Sequence, residues 1–239
     1  YEIAQDTKPR FMVQGRHHGG GLTRLLAHGL QIHGENIAHT LRPFALDILV
    51  LANIYSRGDQ GQTMNPAIQA FFDEQTFTVT YLVSDPASRR AVVIDPVLDF
   101  DPKAARTATR SADRLLEAVK AGGLAVEWIL ETHAHADHLS AAAYLKGATG
   151  ARVAIGEHIR DVQKVFAPIF DAKDVTGDGA PFDRLLENGE TLFVGSLAIE
   201  VMNTPGHTPA CVSYKIADNV FVGDTLFMPD YGTARADFP

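Results

Sequence analysis

The stretch that decides the fold is Thr132-His133-Ala134-His135-Ala136-Asp137-His138, which directly follows the apolar run Trp128–Leu130. Three imidazoles and one carboxylate fall within six residues, and the small alanines between them keep the loop compact. Imidazole and carboxylate together are ligands that suit Zn, Fe or Mn. Because such crowding of ligand groups has no evident stabilising purpose without a metal, the stretch predicts a metal site at the end of a strand.

Two later segments place further donors directly after apolar runs. His207 lies in Thr204-Pro-Gly-His-Thr208, and Asp224 lies in Phe221-Val-Gly-Asp-Thr225. Taken alone, each residue is typical of a turn or a cap. Together with the first loop they make three strand ends that deliver donors, which is how metal sites are built at sheet edges.

The pattern between these segments predicts a layered α/β domain with sheets inside and helices outside. Strands are expected where apolar residues alternate or form short runs, at 77–83, 91–95, 125–130, 152–155, 191–194, 197–202, 210–216 and 219–222. Helices are expected at 112–119 with Ser111 as N-cap, at 138–148 and at 157–166. Asp218-Asn219 is expected to form a tight hairpin turn, and 171–190 an exposed loop.

The composition changes near residue 63. The first 63 residues hold five of the ten histidines, with no metal-binding spacing, and the whole acidic excess of the chain falls in the remainder. Met64 opens a well-patterned segment. We therefore expect residues 1–63 to be an extension that is poorly ordered or not native, and residues 64–239 to form the domain.

Bulk properties restrict the partners. A formal charge of −8 and a pI near 5.6 argue against nucleic acid or an anionic membrane. The apolar run Phe44–Ile54 is about half of the ~20 residues that a membrane-spanning helix needs. A single cysteine, Cys211, excludes an internal disulfide framework and fits a reducing compartment. We expect a cytoplasmic protein that acts on a small molecule and can form a homodimer.

The three motifs, THAHADH at 132–138, PGHT at 205–208 and GDT at 223–225, resemble the metallo-β-lactamase superfamily. The residues around these motifs, with Ile94-Asp-Pro96 and Glu131 ahead of the first motif, are more similar to the persulfide dioxygenase branch than to glyoxalase II. The resemblance implies an αββα four-layer sandwich, here expected to be cut short at its C-terminal end. It also implies a single Fe(II) held by His133, His207 and Asp224, the facial triad of non-haem oxygenases.

The same resemblance implies roles for residues around the metal. His135, Asp137 and His138 would lie near it without binding it, as catalytic groups that orient neighbours or handle protons. Asp95 would buttress the metal loop, although the sequence alone also allows a turn cap. Arg235 would bind substrate through a carboxylate of glutathione, or would pair with Asp237.

Three functional hypotheses follow. The first is oxidation of glutathione persulfide by O₂ to sulfite. The second is zinc-dependent hydrolysis of glutathione thioesters, in which His135 joins a first zinc site and Asp137 and His138 a second. Such hydrolases need a further histidine, and none follows His207 in this sequence. The third is an inactive truncated fragment, because a sandwich that ends at Pro239 would expose a sheet edge.

Overall fold

The computed structural model describes residues 65–227 and 232–234. The predicted extension 1–63 and the predicted substrate-binding residue Arg235 lie outside the described residues. Within the described part of the chain, no helix is both long and apolar enough to cross a membrane.

A six-stranded mixed sheet forms the centre of the domain, with the spatial order β1-β2-β3-β6-β8-β9. The first three strands are antiparallel, and β3, β6, β8 and β9 run parallel to one another. The strands are β1 (Ala67–Phe72), β2 (Val79–Ser84), β3 (Arg90–Ile94), β6 (Ala125–Leu130), β8 (Arg152–Gly156) and β9 (Arg184–Leu186).

Two smaller sheets complete the β-structure of the described residues. A four-stranded antiparallel sheet follows chain order and contains β10 (Thr191–Val194), β11 (Leu197–Asn203), β12 (Val212–Ile216) and β13 (Asn219–Phe221). A small sheet of order β5-β4-β7 contains β4 (Val97–Asp101), β5 (Arg106–Ala108) and β7 (Leu139–Ser140). A 3-10 turn at Gly223–Thr225 follows β13.

The central strands are buried on both faces, which explains why they read as continuous apolar runs. On one face, Ile94 and Leu130 pack against residues of the four-stranded sheet such as Ile199 and Tyr214. On the other face, residues including Ile129 pack against the helices α1 (Arg110–Ala121) and α2 (Ala142–Thr149). A third helix, α3 (Ile159–Ile169), packs into a smaller cluster with Ile155. The predicted layered α/β arrangement is thus confirmed.

Several predicted boundaries need correction. The predicted N-cap Ser111 is the second residue of α1, which begins one residue after Thr109; its amide donates to Asp99 Oδ2 at 2.9 Å. The predicted helix at 138–148 begins only at Ala142, because Leu139 and Ser140 pair with β4. The hairpin after β12 turns through residues 217–218 rather than 218–219, since Ile216 pairs with Asn219.

Topology brings the donors to one edge. The parallel neighbours β3 and β6 end side by side, at Asp95 and at the loop that begins with Glu131. In the four-stranded sheet, β11 and β13 flank β12 and both run antiparallel to it, so they also end at a common edge. Those ends lead to His207 and Asp224. The order of the strands therefore brings together motifs that are far apart in the sequence.

Candidate metal centre

The three predicted metal ligands come together in the structure. Ligand atoms of His133, His207 and Asp224 all lie within 4.8 Å of one another. Oδ2 of Asp224 is 3.6 Å from Nε2 of His207 and 3.9 Å from Nε2 of His133. The two imidazole side chains are 1% and 6% exposed and the Asp224 side chain is 32% exposed, so the group opens to solvent on the carboxylate side.

Charge and burial suit this group to a cation. Burial and the neighbouring His135 lower the pKa of His133 to about 3, so its imidazole is neutral at physiological pH. Burial also raises the pKa of Asp224. Among the described residues, Nε2 of His133 is a buried polar atom with no hydrogen-bond partner, and an orphaned lone pair of this kind is costly. A metal ion at this position would accept that lone pair. The three residues therefore fit the metal ion that the motif predicts.

The predicted catalytic residues form a second group beside the first. Ligand atoms of His135, Asp137 and His138 also lie within 4.8 Å of one another. Nδ1 of His138 is 3.2 Å from Asp137 Oδ1, and the Thr78 hydroxyl donates to Asp137 Oδ2 at 3.1 Å. The His138 side chain is 1% exposed, and its Nε2 is another buried atom without a hydrogen-bond partner in the described chain.

Two buried carboxylates hold the outer nitrogen of His135. Its Nε2 lies 3.1 Å from Glu131 Oε2 and 3.2 Å from Asp95 Oδ1, and the Ser140 hydroxyl donates to Glu131 Oε1 at 2.5 Å. Burial alone would lower the pKa of His135, but Asp95 and Glu131 raise it well above its ordinary value. Burial raises the pKa of Glu131. The ring of His135 is therefore fixed as a hydrogen-bond donor toward the two carboxylates.

Asp95 contacts the metal loop directly. Its Oδ1 accepts the Thr132 amide at 2.7 Å, and its Oδ2 accepts the Thr132 hydroxyl at 2.8 Å. The Thr80 hydroxyl in turn donates to the backbone oxygen of Asp95 at 2.8 Å. Asp95 has a φ of +49°, which aspartate tolerates better than most residues. Of the two readings that the sequence allowed, this geometry is that of a brace for the loop, because the carboxylate bonds another strand end and not its own turn.

Sequence reasoning did not assign roles to several residues at this edge. Thr78, Thr80 and Ser140 lack any distinctive spacing, and only the strand pairing brings them near the histidines. Glu131 carried a usable signal: it is a charged residue that directly follows the fully buried strand end Ile129-Leu130, and it is itself 3% exposed. A buried carboxylate needs hydrogen-bond partners, so its position alone pointed to a polar network.

Comparison with known proteins shows the family of the chain. The family model of the metallo-beta-lactamase superfamily matches residues 74–238. A probable metallo-hydrolase of Burkholderia pseudomallei is 52% identical over 183 residues, which cover 72% of this chain and 62% of that protein. The mitochondrial persulfide dioxygenase ETHE1 of Bos taurus is 32% identical over 173 residues, which cover 72% of this chain and 56% of that protein.

A solved structure shows the same fold. The crystal structure of ETHE1 from Myxococcus xanthus is similar with a TM-score of 0.56 and 31% sequence identity, covering 72% of this chain and 62% of that one. This chain thus spans about three fifths of the length of these three relatives. The fold predicted from the three motifs is confirmed, and the chain belongs to the metallo-β-lactamase superfamily.

Proposed function

We propose that this protein is a mononuclear non-haem iron dioxygenase that oxidises glutathione persulfide to glutathione and sulfite. The balanced reaction consumes one persulfide, one O₂ and one water, and yields one thiol, one sulfite dianion and two protons. The observation that carries the proposal is the grouping of two imidazoles and one carboxylate in His133, His207 and Asp224. The similarity to persulfide dioxygenases supports it.

The chemistry of the donor set also supports iron. A ligand set of two histidines and one carboxylate, when it holds Fe(II), leaves open positions at which a sulfur ligand and O₂ can sit side by side. Asp224 is the most exposed of the three side chains, so substrate would approach on its side. The neutral imidazole of His133 offers a lone pair without first having to lose a proton.

The remaining residues have proposed roles in holding and moving protons. Asp137 and His138 contact each other at 3.2 Å next to the metal ligands, and would accept or return the protons released as sulfite forms. His135, held by Glu131 and Asp95, would orient this pair. Arg235 remains the proposed contact for a glutathione carboxylate, and a homodimer remains a proposal as well.

The test is O₂ uptake by the full chain, loaded anaerobically with Fe(II) and given glutathione persulfide. We expect O₂ consumption and sulfite formation in equal amounts. Asp224→Ala should abolish both, while Asp218→Ala, which changes an exposed aspartate in the hairpin after β12, should leave both unchanged. Sulfite formation that persists in Asp224→Ala, or an Fe(II)-loaded protein without O₂ uptake, would contradict the proposal.

A zinc-dependent hydrolase of glutathione thioesters is the second candidate. Its specific support is the second ligand group, in which Nε2 of His138 is buried without a hydrogen-bond partner and so could bind another ion. The name of the Burkholderia relative, a probable metallo-hydrolase, points the same way. Cleavage of S-lactoylglutathione by the zinc-loaded chain, without O₂ uptake by the iron-loaded chain, would favour this candidate over the dioxygenase.

A further inference from the structure

Three hydroxyl groups form a continuous contact between the two loops that carry His207 and Asp224. Thr204 opens the loop that leads to His207, and Thr225 directly follows Asp224 in the 3-10 turn. Oγ1 of Thr204 lies 3.0 Å from Oγ1 of Thr225 and 2.9 Å from Oγ of Ser213, in β12. Oγ1 of Thr225 also donates to the backbone oxygen of Thr204, at 3.4 Å.

The Thr204–Thr225 contact joins the two loops, and the Thr204–Ser213 contact lies at the base of the His207 loop. Ser213 is 1% exposed, and a buried hydroxyl must find hydrogen-bond partners inside the protein. Ser213 meets the hydroxyl of Thr204, and Thr204 in turn meets Thr225, 21 residues further along the chain. The amide of Thr204 also donates to the backbone oxygen of Cys211 at 3.0 Å, which closes the base of the loop that holds His207. The 3-10 turn is thus fastened to the base of that loop.

The contact between Thr204 and Thr225 affects the positions of two proposed metal ligands, His207 and Asp224. Asp224 has no sheet partner of its own, since it follows the last residue of β13 by three positions. Its carboxylate must nevertheless sit 3.6 Å from His207 Nε2. Without a tie between the two loops, their relative positions would have to be fixed when an ion binds, and that cost would weaken affinity.

We propose that Thr225 is a positioning residue of the metal centre: its hydroxyl ties the turn of Asp224 to the loop of His207 and so fixes the two ligands relative to each other. This inference rests on the proposed binding of a metal by His133, His207 and Asp224. It is independent of whether the reaction is oxidation or hydrolysis.

The experiment is a Co²⁺ titration of the full chain after metal removal, followed by the visible absorption of the bound ion. Thr225→Val removes the hydroxyl at nearly constant shape, and Thr225→Ser keeps it. We expect about 10–100-fold weaker binding for Thr225→Val and binding within about threefold of the unmodified protein for Thr225→Ser. Thr107→Val, at an exposed position in β5, is the matched control and should bind Co²⁺ as the unmodified protein does.

The thermal midpoint of each metal-free variant separates positioning from general stability. A merely structural role would lower the midpoint of Thr225→Val and leave its Co²⁺ affinity unchanged, and that result would overturn the proposal. If Thr225→Val does not fold, Thr204→Val replaces it, since it removes the hydroxyl that Thr225 Oγ1 contacts at 3.0 Å; unchanged affinity there would also overturn the proposal. If the unmodified chain bound no Co²⁺, the proposed metal centre would fail together with it.

Discussion

The hydroxyl oxygen of Thr132 lies 2.9 Å from Nδ1 of the adjacent His133. The same hydroxyl is 2.8 Å from Asp95 Oδ2, and a carboxylate can only accept. Because a threonine hydroxyl has one proton, and that proton goes to Asp95, the hydrogen of the second contact must come from Nδ1 of His133. The neutral imidazole then presents an unprotonated Nε2 toward Asp224, which is the tautomer that a metal ligand needs.

Removing the Thr132 hydroxyl should therefore weaken metal binding. Thr132→Val keeps the shape but leaves Nδ1 of His133 without its acceptor, so we expect roughly 10–100-fold lower affinity for Co²⁺ or Zn²⁺. Thr132→Ser retains the hydroxyl and should stay close to the unmodified protein. The imidazole ¹⁵N chemical shifts of the metal-free variants give the tautomer independently. Equal affinity of the valine and serine variants would show that Thr132 does not set it.

Gly223 allows the turn of Asp224 to approach Thr132. Its φ is +49°, and a Cβ there would lie 2.3 Å from Thr132 Oγ1. Gly223→Ala should thus strain the backbone and push Asp224 away from His133. Gly189→Ala is a matched control, because Gly189 also has a positive φ, of +78°, but nothing lies within 4 Å of the added carbon.

We expect the backbone strain alone to cost about 1–2 kcal/mol in Gly189→Ala. Gly223→Ala should cost roughly twice as much, since the steric overlap with Thr132 adds to the strain. Urea unfolding measures both free energies, and a metal titration should show weaker binding in Gly223→Ala alone. Equal losses of stability and equal metal affinities in the two variants would contradict the close approach.

The free energy of unfolding should depend on pH through Asp85, which is far in sequence from the three predicted metal ligands. This buried carboxylate accepts the Ser196 amide and hydroxyl, both at 2.8 Å, and the Ser88 hydroxyl at 2.7 Å. Through these hydrogen bonds, Asp85 joins the β2–β3 turn to the β10–β11 turn. The Ser196 amide, with Ser88 and the other donors, holds the pKa of Asp85 well below its ordinary value of 3.8.

Because the pKa of Asp85 is lowered on folding, its contribution is present above the ordinary pKa and is lost as pH falls below it. Asp85→Asn should lower the thermal midpoint at pH 7, and its difference from the unmodified protein should shrink between pH 4 and pH 2. Thermal unfolding across this range, with the exposed Asp218→Asn as control, tests the expectation. A difference between the two proteins that does not vary with pH would count against it.

The sequence predicted most of the central sheet because its strands are buried on both faces. The predicted limits of β6, 125–130, match the structure, since the apolar run ends at Leu130. The helix predicted from His138 was wrong at its start because pairing with β4 outweighed local helical spacing. Strands β4, β5 and β7 lack an apolar run long enough to stand out, so only their pairing with one another defines them.

The sequence predicted which residues could bind a metal at the candidate site. It did not predict the hydrogen bonds that surround them. His133, His207 and Asp224 follow apolar runs in recognisable motifs, and the structure brings them together. The contacts among Thr132, Asp95 and His135 depend on the side-by-side ends of β3 and β6, which no local pattern specifies. The tie between Thr204 and Thr225 likewise joins residues that are neighbours only after the four-stranded sheet has formed.

The most direct test of the proposed mononuclear site is the number of metal ions that each chain binds. The full chain, stripped of metal and titrated anaerobically with Fe(II), should reach saturation at one ion per chain. His207→Ala should reduce binding by orders of magnitude, and His135→Ala should retain one ion. Saturation at two ions per chain, with one of them lost in His135→Ala or His138→Ala, would contradict the mononuclear account and favour the dinuclear hydrolase.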